Sequence, residues 1–538
     1  MTDTMQALLR ERVGDSAVAV KYRELQWTWS EYLAESAAQA AALIGVADHG
    51  RPLHIASLLG NTPDMLTQMA AAALGGYVLC GLNTTRRGAA LAADIRRADC
   101  QIVVTDAEHR GLLDGLDLDG VRVFETSTPQ WAELLSGAGD LAPYRQVEMM
   151  DAFMMIFTSG TSGEPKAVQV SHLMPTFAGR NLAERFGLTQ QDICYVSMPL
   201  FHSNAVVGGW APAVASGAAI VPAKFSASNF LDDIRRYNAT YMNYVGKPLA
   251  YILATPERDD DADNPLRVAF GNEANEKDIQ EFSRRFGVQV EDGFGSTENA
   301  VIVIREPGTP PGSIGRGVDG VAIYNSDTVT ECATARFDEH GTLVNADEAV
   351  GELVNTTGSG FFTGYYNDPD ANAERMRHGM YWSGDLAYRD ADGWIYLAGR
   401  TADWMRVDGE NLAAAPIERV LLRHNAINRV AVYAVPDERV GDQVMAAVVL
   451  HDDRHLRSFD PGSFTEFLAA QPDLSPKAWP RYVRIAADLP STATHKVLKR
   501  QLIKEGVDVG EGETLWEREP RGTAYHVRIS GEQLAREG

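Results

Sequence analysis

At 538 residues the chain exceeds one ordinary hydrophobic core and is expected to form two or more domains. Its 45% hydrophobic and 23% charged residues exclude a fibre or a disordered chain, and 49 Lys plus Arg against 73 Asp plus Glu leave a net charge of −24 that disfavours nucleic acid and anionic membrane as partners. The four cysteines, Cys80, Cys100, Cys194 and Cys332, have neither zinc-ligand spacing nor the density of a disulfide framework, so a reducing cytoplasm is expected.

The N-terminal "MTDTMQALLRERVGD" carries charges where an export signal needs an apolar run. Next, "LHIASLL", a helical "MLTQMAAAALGG" and "QIVVTD" alternate in the rhythm of βαβ units around a parallel sheet. "FMMIFTSG" reads as another strand with a ligand-holding loop at its carboxyl end, followed by a helix through "LMPTFAGRNLAERF". The uncharged stretch from Ile193 to Ala223 contains Pro199, His202, Asn204 and Pro212, and is read as buried core around a site rather than a membrane span. "ERDDDADNP", from Glu257 to Pro265, reads as a solvated acidic loop, and "MYWSGDLAYRDADGWIYLAGR" as a hairpin turning at Asp392 and Gly393. From Thr401 a helix–strand–strand–helix–strand–helix pattern indicates a separate small α/β domain, with Trp516 in its tail a candidate to dock on the body.

The densest chemistry lies in "TSGTSGEPK". Successive N–H groups in such a loop can cradle phosphate oxygens, hydroxyls add donors, and Lys166 adds a point charge. By itself the run also fits a flexible linker. A proline before Lys166, with no Ser or Thr after it, excludes the common P-loop of kinases and GTPases.

This loop resembles the signature of the AMP-forming adenylating superfamily, which comprises acyl-CoA synthetases, peptide-synthetase adenylation domains and luciferases. The resemblance continues in order through "MPLFHSNA", "FGNEA", "EDGFGSTE", "YWSGDL", "LAGRTADWMRVDGEN" and "STATHKVLKRQL". The stretches "NYVGKPLAYIL" and "GRTADWMRVDGENLAAAPIE" most resemble the fatty-acid-transport-protein and very-long-chain branch, and within it actinobacterial ligases of steroid side chains. The resemblance implies an α/β fold with a large multi-sheet N-terminal adenylation domain over 1–400, a hinge at 401–402, and a small mobile α/β lid domain over 403–538.

Carried over position by position, it assigns Thr158 and Glu298 to magnesium. Ser159, Gly160, Thr161, Ser162, Gly163 and Lys166 would cover the phosphates of ATP. Asn272, Glu273 and Ala274 would line the adenine, together with the segment Asp292, Gly293, Phe294, Gly295, Ser296 and Thr297. Phe294 stands where tyrosine is common; its ring can stack on the base but brings no hydroxyl. Asp385 and Arg400 would bind the ribose, and Lys496 would bridge the carboxylate and α-phosphate. His202 would orient the acyl carboxylate, although an isolated histidine after an apolar strand is more often a hydrogen-bonded core residue.

In the second half-reaction of the family the small domain rotates, and here Arg406 and Gly409 would meet coenzyme A. Ala402 replaces the Asp or Lys that many members carry at the hinge. His202, Gly208, Gly209, Tyr244, Val245 and Gly246 are candidates to border the acyl pocket, where the glycines either leave room for a bulky tail or serve packing. The implied reaction is activation of a hydrophobic acid, a long-chain fatty acid or a steroid side-chain carboxylate, through acyl-AMP to acyl-CoA, with ATP and CoA as co-substrates. An acyl-AMP ligase that loads a carrier protein, and a lipid-uptake or binding protein at a membrane, are the alternatives. A homodimer and a peripheral membrane contact are left open.

Overall fold

Short strands with both faces apolar can be stable only inside a layered sheet, and this chain supplies many of them. The computed structural model describes residues 3–528 apart from 160–164, 275, 307, 340, 342, 401–403, 408–409, 438–440, 452–458, 492–496, 511 and 520–521. The chain divides into two compact units, Met1–Ile302 with Thr357–Tyr381, and Val303–Thr356 with Trp382–Gly538. The expected hinge at 401–402 lies outside the described residues.

The first unit holds two sheets. Its strands are β1 (Val18–Tyr22), β2 (Leu25–Thr28), β3 (His54–Leu58), β4 (Val78–Gly81), β5 (Ile102–Thr105), β6 (Arg122–Glu125), β7 (Ala152–Ser159), β8 (Pro165–Ser171), β9 (Ile193–Val196), β10 (Ala219–Pro222), β11 (Tyr241–Val245), β12 (Val268–Asn272) and β13 (Gln289–Gly293). One sheet runs β13-β12-β11-β9-β10-β1-β2 and the other β6-β5-β3-β4-β7-β8. Pairing is parallel except at β2 and β8, which close one edge of each sheet antiparallel. Every residue of β3, β4, β5, β9 and β10 is buried, as parallel strands covered on both faces require.

The helix Trp29–Val46 starts on a capping box, in which the Thr28 hydroxyl accepts from the Glu31 N–H and the Glu31 carboxylate accepts from the Thr28 N–H. It packs on the alanine-rich helix Pro63–Gly75, whose small side chains allow burial on nearly every side. One core joins these helices to both sheets, with Ile55 and Leu79 from one and Val196 and Ile220 from the other.

One strand is added to the expected order, and one expectation changes. The helix expected through "LMPTFAGRNLAERF" is there as Leu173–Phe186, but between it and the opening loop an unexpected strand, β8, runs back along β7 with Thr158 opposite Lys166. Lys166 and Ala167 lack the spacing that marks a helix start, and the buried run in β8 satisfies its backbone against β7. The acidic loop is not wholly solvated. Asp261 is 2% exposed and pairs with the equally buried Arg285 at 2.6 Å.

In the second unit, Val321–Asn325, Gly351–Asn355, Met380–Arg389 and Ile395–Arg400 form an antiparallel sheet. The hairpin turns where expected, with the Asp390 carboxylate accepting from the N–H groups of Asp392 and Trp394, and Gly393 in the left-handed region. Beyond it, Ile427–Asp437, Gly441–Leu450, Tyr482–Ile485, Thr514–Arg518 and Tyr525–Val527 form most of a second sheet, covered by the helices Ala414–Leu421, Pro461–Ala469 and Lys499–Glu505. Trp516 is part of that sheet: it stacks on Phe459 and belongs to this domain's own core rather than docking on the body. Among the described residues no helix is long and apolar enough to cross a membrane, and Ile193–Ala223 folds into buried strands and helical turns.

Candidate active site

β7 and β8 deliver the two ends of the glycine-rich loop side by side, with Ser159 opposite Pro165. Gly160, Thr161, Ser162 and Gly163 lie outside the described residues, as does the Ser159 side chain. Lys166 is 6% exposed; its Nζ lies 3.4 Å from the Glu374 carboxylate and 5.1 Å from the centre of the Tyr365 ring. Such an ammonium is held by a carboxylate and a π face together.

Tyr365 is the centre of this region, and the sequence reading missed it. Its hydroxyl donates to Oε1 of Glu298 at 2.8 Å and accepts from Nε of Arg375 at 3.3 Å. Burial, and after it the Glu298 carboxylate, raise the Tyr365 pKa, which keeps the hydroxyl protonated and donating. Burial opposes the charge on Arg375, but Tyr365, Tyr381 and Glu298 outweigh it and its pKa is raised.

His202 follows β9, where the segment 196–200 is tied down by Asn61. The Asn61 amide donates to the carbonyls of Val196, Met198 and Ala223, and its oxygen accepts from Leu200 N–H. The next residue, Ser203, meets Thr297 hydroxyl to hydroxyl at 3.2 Å, which joins the "FHSN" segment to the "GSTE" motif. Asn204 then donates to Tyr244 O at 3.0 Å and Asn272 Oδ1 at 3.2 Å, and accepts from Asn243 Nδ2 at 2.7 Å. Ser203 and Asn204 lie in the "MPLFHSNA" segment but were assigned no role, and Asn61, just after β3, carried no signal of its own.

The adenine-side candidates sit at the carboxyl ends of β12 and β13, where Asn272 pairs with Gly293. Gly271 is required there: a Cβ would lie 2.3 Å from Tyr244 O. Glu273 takes φ +68°, which turns the chain sharply off the strand. Asp292 then accepts from Ala274 N–H at 3.0 Å and from the Tyr244 hydroxyl at 2.9 Å, so it braces this loop. Gly293 ends β13, and Phe294, Gly295, Ser296, Thr297 and Glu298 continue from it in irregular backbone that is half-exposed, or exposed at Gly295.

The acyl-pocket candidates do not share one face. Gly208 and Gly209 lie in a π-helix, Ala205–Trp210, against the side of β11 carrying Tyr241 and Asn243: the Tyr241 hydroxyl donates to Gly208 O, and a Cβ on Gly209 would be 2.9 Å from Asn243 Oδ1. Strand alternation puts Val245 on that side and Tyr244 on the other, in the cluster with Phe282 and Leu249. Gly209 is thus a packing glycine. Gly246, at φ +63°, donates from its N–H to Asn272 O and closes the end of β11.

In the second unit Asp385 lies within a strand opposite Arg400, not at a turn. Glu352, 4% exposed, accepts from Gly384 N–H at 2.7 Å and fixes the backbone just before Asp385. The side chains of Arg400 and Arg406, and all of Gly409 and Lys496, lie outside the described residues. The positions flanking Lys496 are anchored: Ser491 pairs with Val497, and Lys499 meets Glu418 at 2.9 Å.

Among the described residues no group of three or more His, Cys, Asp or Glu could hold a metal ion. The donor set of a threonine hydroxyl and one carboxylate still suits magnesium, which takes few protein oxygens when phosphates and water complete its shell.

The AMP-binding enzyme family matches residues 10–366, and the AMP-binding enzyme C-terminal domain matches 416–496. A medium/long-chain-fatty-acid–CoA ligase, FadD17 of Mycobacterium marinum, is 52% identical over 93% of this chain and 95% of its own. A steroid-22-oyl-CoA synthetase of Rhodococcus jostii is 46% identical over 93% and 90%. Among solved structures, ATP-bound MatB from Rhodopseudomonas palustris superposes with a TM-score of 0.82 at 21% identity, covering 94% of this chain and 99% of its own. The fold is that of an adenylate-forming enzyme, and the chain belongs to the AMP-binding enzyme family.

Proposed function

We propose that the protein is an ATP-dependent, AMP-forming CoA ligase for a hydrophobic carboxylic acid, a medium- or long-chain fatty acid or a steroid side-chain acid. The observation that carries this reading is the meeting, within one unit, of the strand bearing Lys166 with Glu298 through Tyr365. An anionic enzyme that binds ATP needs such local charge control. The two ligase relatives, alike over nearly their full lengths, support the same reaction class.

A carboxylate oxygen attacks the α-phosphorus of ATP and pyrophosphate leaves, giving acyl-AMP. The CoA thiol then attacks the acyl carbon and AMP departs with the oxygen it gained. Magnesium, held by Thr158 and Glu298, would supply neutralisation of phosphate charge. Lys166 contributes positive charge beside the opening loop, Ser203 and Thr297 align two segments of the site, and Asp292 braces the loop beside the adenine.

In this reading Asp385 and Arg400 bind ribose, Lys496 stabilises charge during adenylation, and Arg406 and Gly409 serve CoA. The catalytic domains are 1–400 and 403–538 about a hinge at 401–402. Four unpaired cysteines support a reducing, cytoplasmic setting.

A panel of short, long-chain and steroid carboxylates, assayed for AMP release and thioester with and without CoA, tests the proposal. CoA-dependent thioester from long-chain or steroid acids is expected. Acyl-AMP that CoA cannot discharge would point to a carrier protein as acceptor, and no AMP with any acid would refute the reading.

A further inference from the structure

Glu298 follows β13 in irregular backbone, where a glutamate with three rotatable bonds has many orientations open to it. The chain restrains it from a distant segment. Tyr365, 2% exposed, donates to its Oε1 at 2.8 Å, and Arg375 donates to the same tyrosine oxygen at 3.3 Å. Tyr365 is itself fixed: its N–H donates to Asn372 Oδ1 at 2.7 Å, and the Asn372 amide donates back to Tyr365 O at 2.9 Å. A hydrogen bond from Gln169 N–H to Gly364 O secures the neighbouring residue to β8.

A hydroxyl that is both donor to a carboxylate and acceptor from a guanidinium is polarised toward the carboxylate. One oxygen of Glu298 is therefore engaged in a single direction, while the tyrosine ring stays against the Lys166 ammonium. We infer that Tyr365, backed by Arg375, is a positioning residue that presents the Glu298 carboxylate to the cation accompanying ATP. The inference rests on the reading of Glu298 as a magnesium contact. A core tyrosine whose hydroxyl merely needs a partner would leave cation affinity unchanged when that hydroxyl is removed.

The test uses Mn2+ as a spin probe, titrated into the full-length protein with α,β-methylene-ATP and followed by electron paramagnetic resonance. Tyr365→Phe keeps the ring and removes the relay. It should weaken Mn2+ binding by about 10- to 100-fold, the usual effect of losing a partner of a metal ligand. In the ligase assay the Mg2+ needed for half-maximal rate should rise in parallel, with the KM for the acid unchanged. Arg375→Gln, which leaves the tyrosine in place, should weaken binding in the same direction by less.

Unchanged Mn2+ affinity in both variants, with affinity lost in Glu298→Gln, would overturn the positioning role alone. Full affinity in Glu298→Gln would remove the reading on which it rests.

Discussion

Two ionic groups of the first unit use similar residues to opposite ends. Around Arg285, Nε donates to Asp261, Nη1 to Leu253 O and Thr255 O, and Nη2 to the Thr255 hydroxyl and Pro256 O. Both side chains are at most 4% exposed, and each guanidinium nitrogen has a partner. Around Tyr365 exposure is mixed: Lys166 is buried, Glu298 and Arg375 are half-exposed, and the Glu374 side chain paired with Lys166 is 58% exposed. The guanidinium of the first group is closed and ties a loop to a helix, although Asp261 Oδ1 has no hydrogen-bond partner among the described residues; the second group joins the strand that follows the glycine-rich loop to Glu298. Burial of both partners, not residue type, sets the structural ion pair apart from the candidate site.

The largest expected effect belongs to a residue outside both groups. Lys496→Ala should slow adenylation by about a thousandfold, as loss of a preorganised electrostatic group does, while acyl-AMP supplied directly is still converted to acyl-CoA. Equal loss of both steps in a rapid-quench assay would show that Lys496 is misassigned. Next, Asp261→Ala should destabilise the first unit by about 3–5 kcal/mol, because Arg285 is left charged and buried. Urea unfolding measures this. If kcat per folded molecule fell as well, the closed group would not be purely structural.

Gly209→Ala should destabilise by about 1–3 kcal/mol through overpacking against Asn243 and Val196, which calorimetry would detect. A loss of less than 0.5 kcal/mol, on the order of a neutral surface change, would argue that this π-helix yields easily.

The smallest effect sharpens the comparison with a third kind of buried group. His172 is 0% exposed, its ring nitrogens have no hydrogen-bond partner among the described residues, and burial, then Arg145, lower its pKa to about 3. Between about pH 3 and the ordinary histidine range near 6.5 the unfolded chain binds the extra proton, so this contribution to stability is complete above about 6.5 and is lost as pH falls. From pH 8 to 5.5 the loss is about 1.4 kcal/mol. His172→Leu should flatten the acid side of the stability profile by that amount; an unaltered profile would mean that His172 is solvated in the folded state.

Much of this was legible because strands buried on both faces leave mostly apolar runs, as in β3 and β5, and because the nucleotide motifs are local in sequence. The hairpin at Gly393 and the helices and strands after Thr401 were readable for the same reason. What escaped depends on distance along the chain. Tyr365 and Arg375 act on Glu298 across more than sixty residues, and Asn61 restrains a loop more than 130 residues away. Asp261 looked like its acidic neighbours until Arg285 was seen beneath it. Tyr244 and Gly209 seemed to line one pocket, but strand alternation separates them.

The most direct measurement is the fate of isotope from an acid labelled with 18O in its carboxylate, incubated with ATP, magnesium and CoA. Attack on the α-phosphorus places one labelled oxygen in AMP for each acyl-CoA formed, which mass spectrometry of the nucleotide would read. Unlabelled AMP, or label in inorganic phosphate with ADP as product, would contradict an acyl-adenylate intermediate.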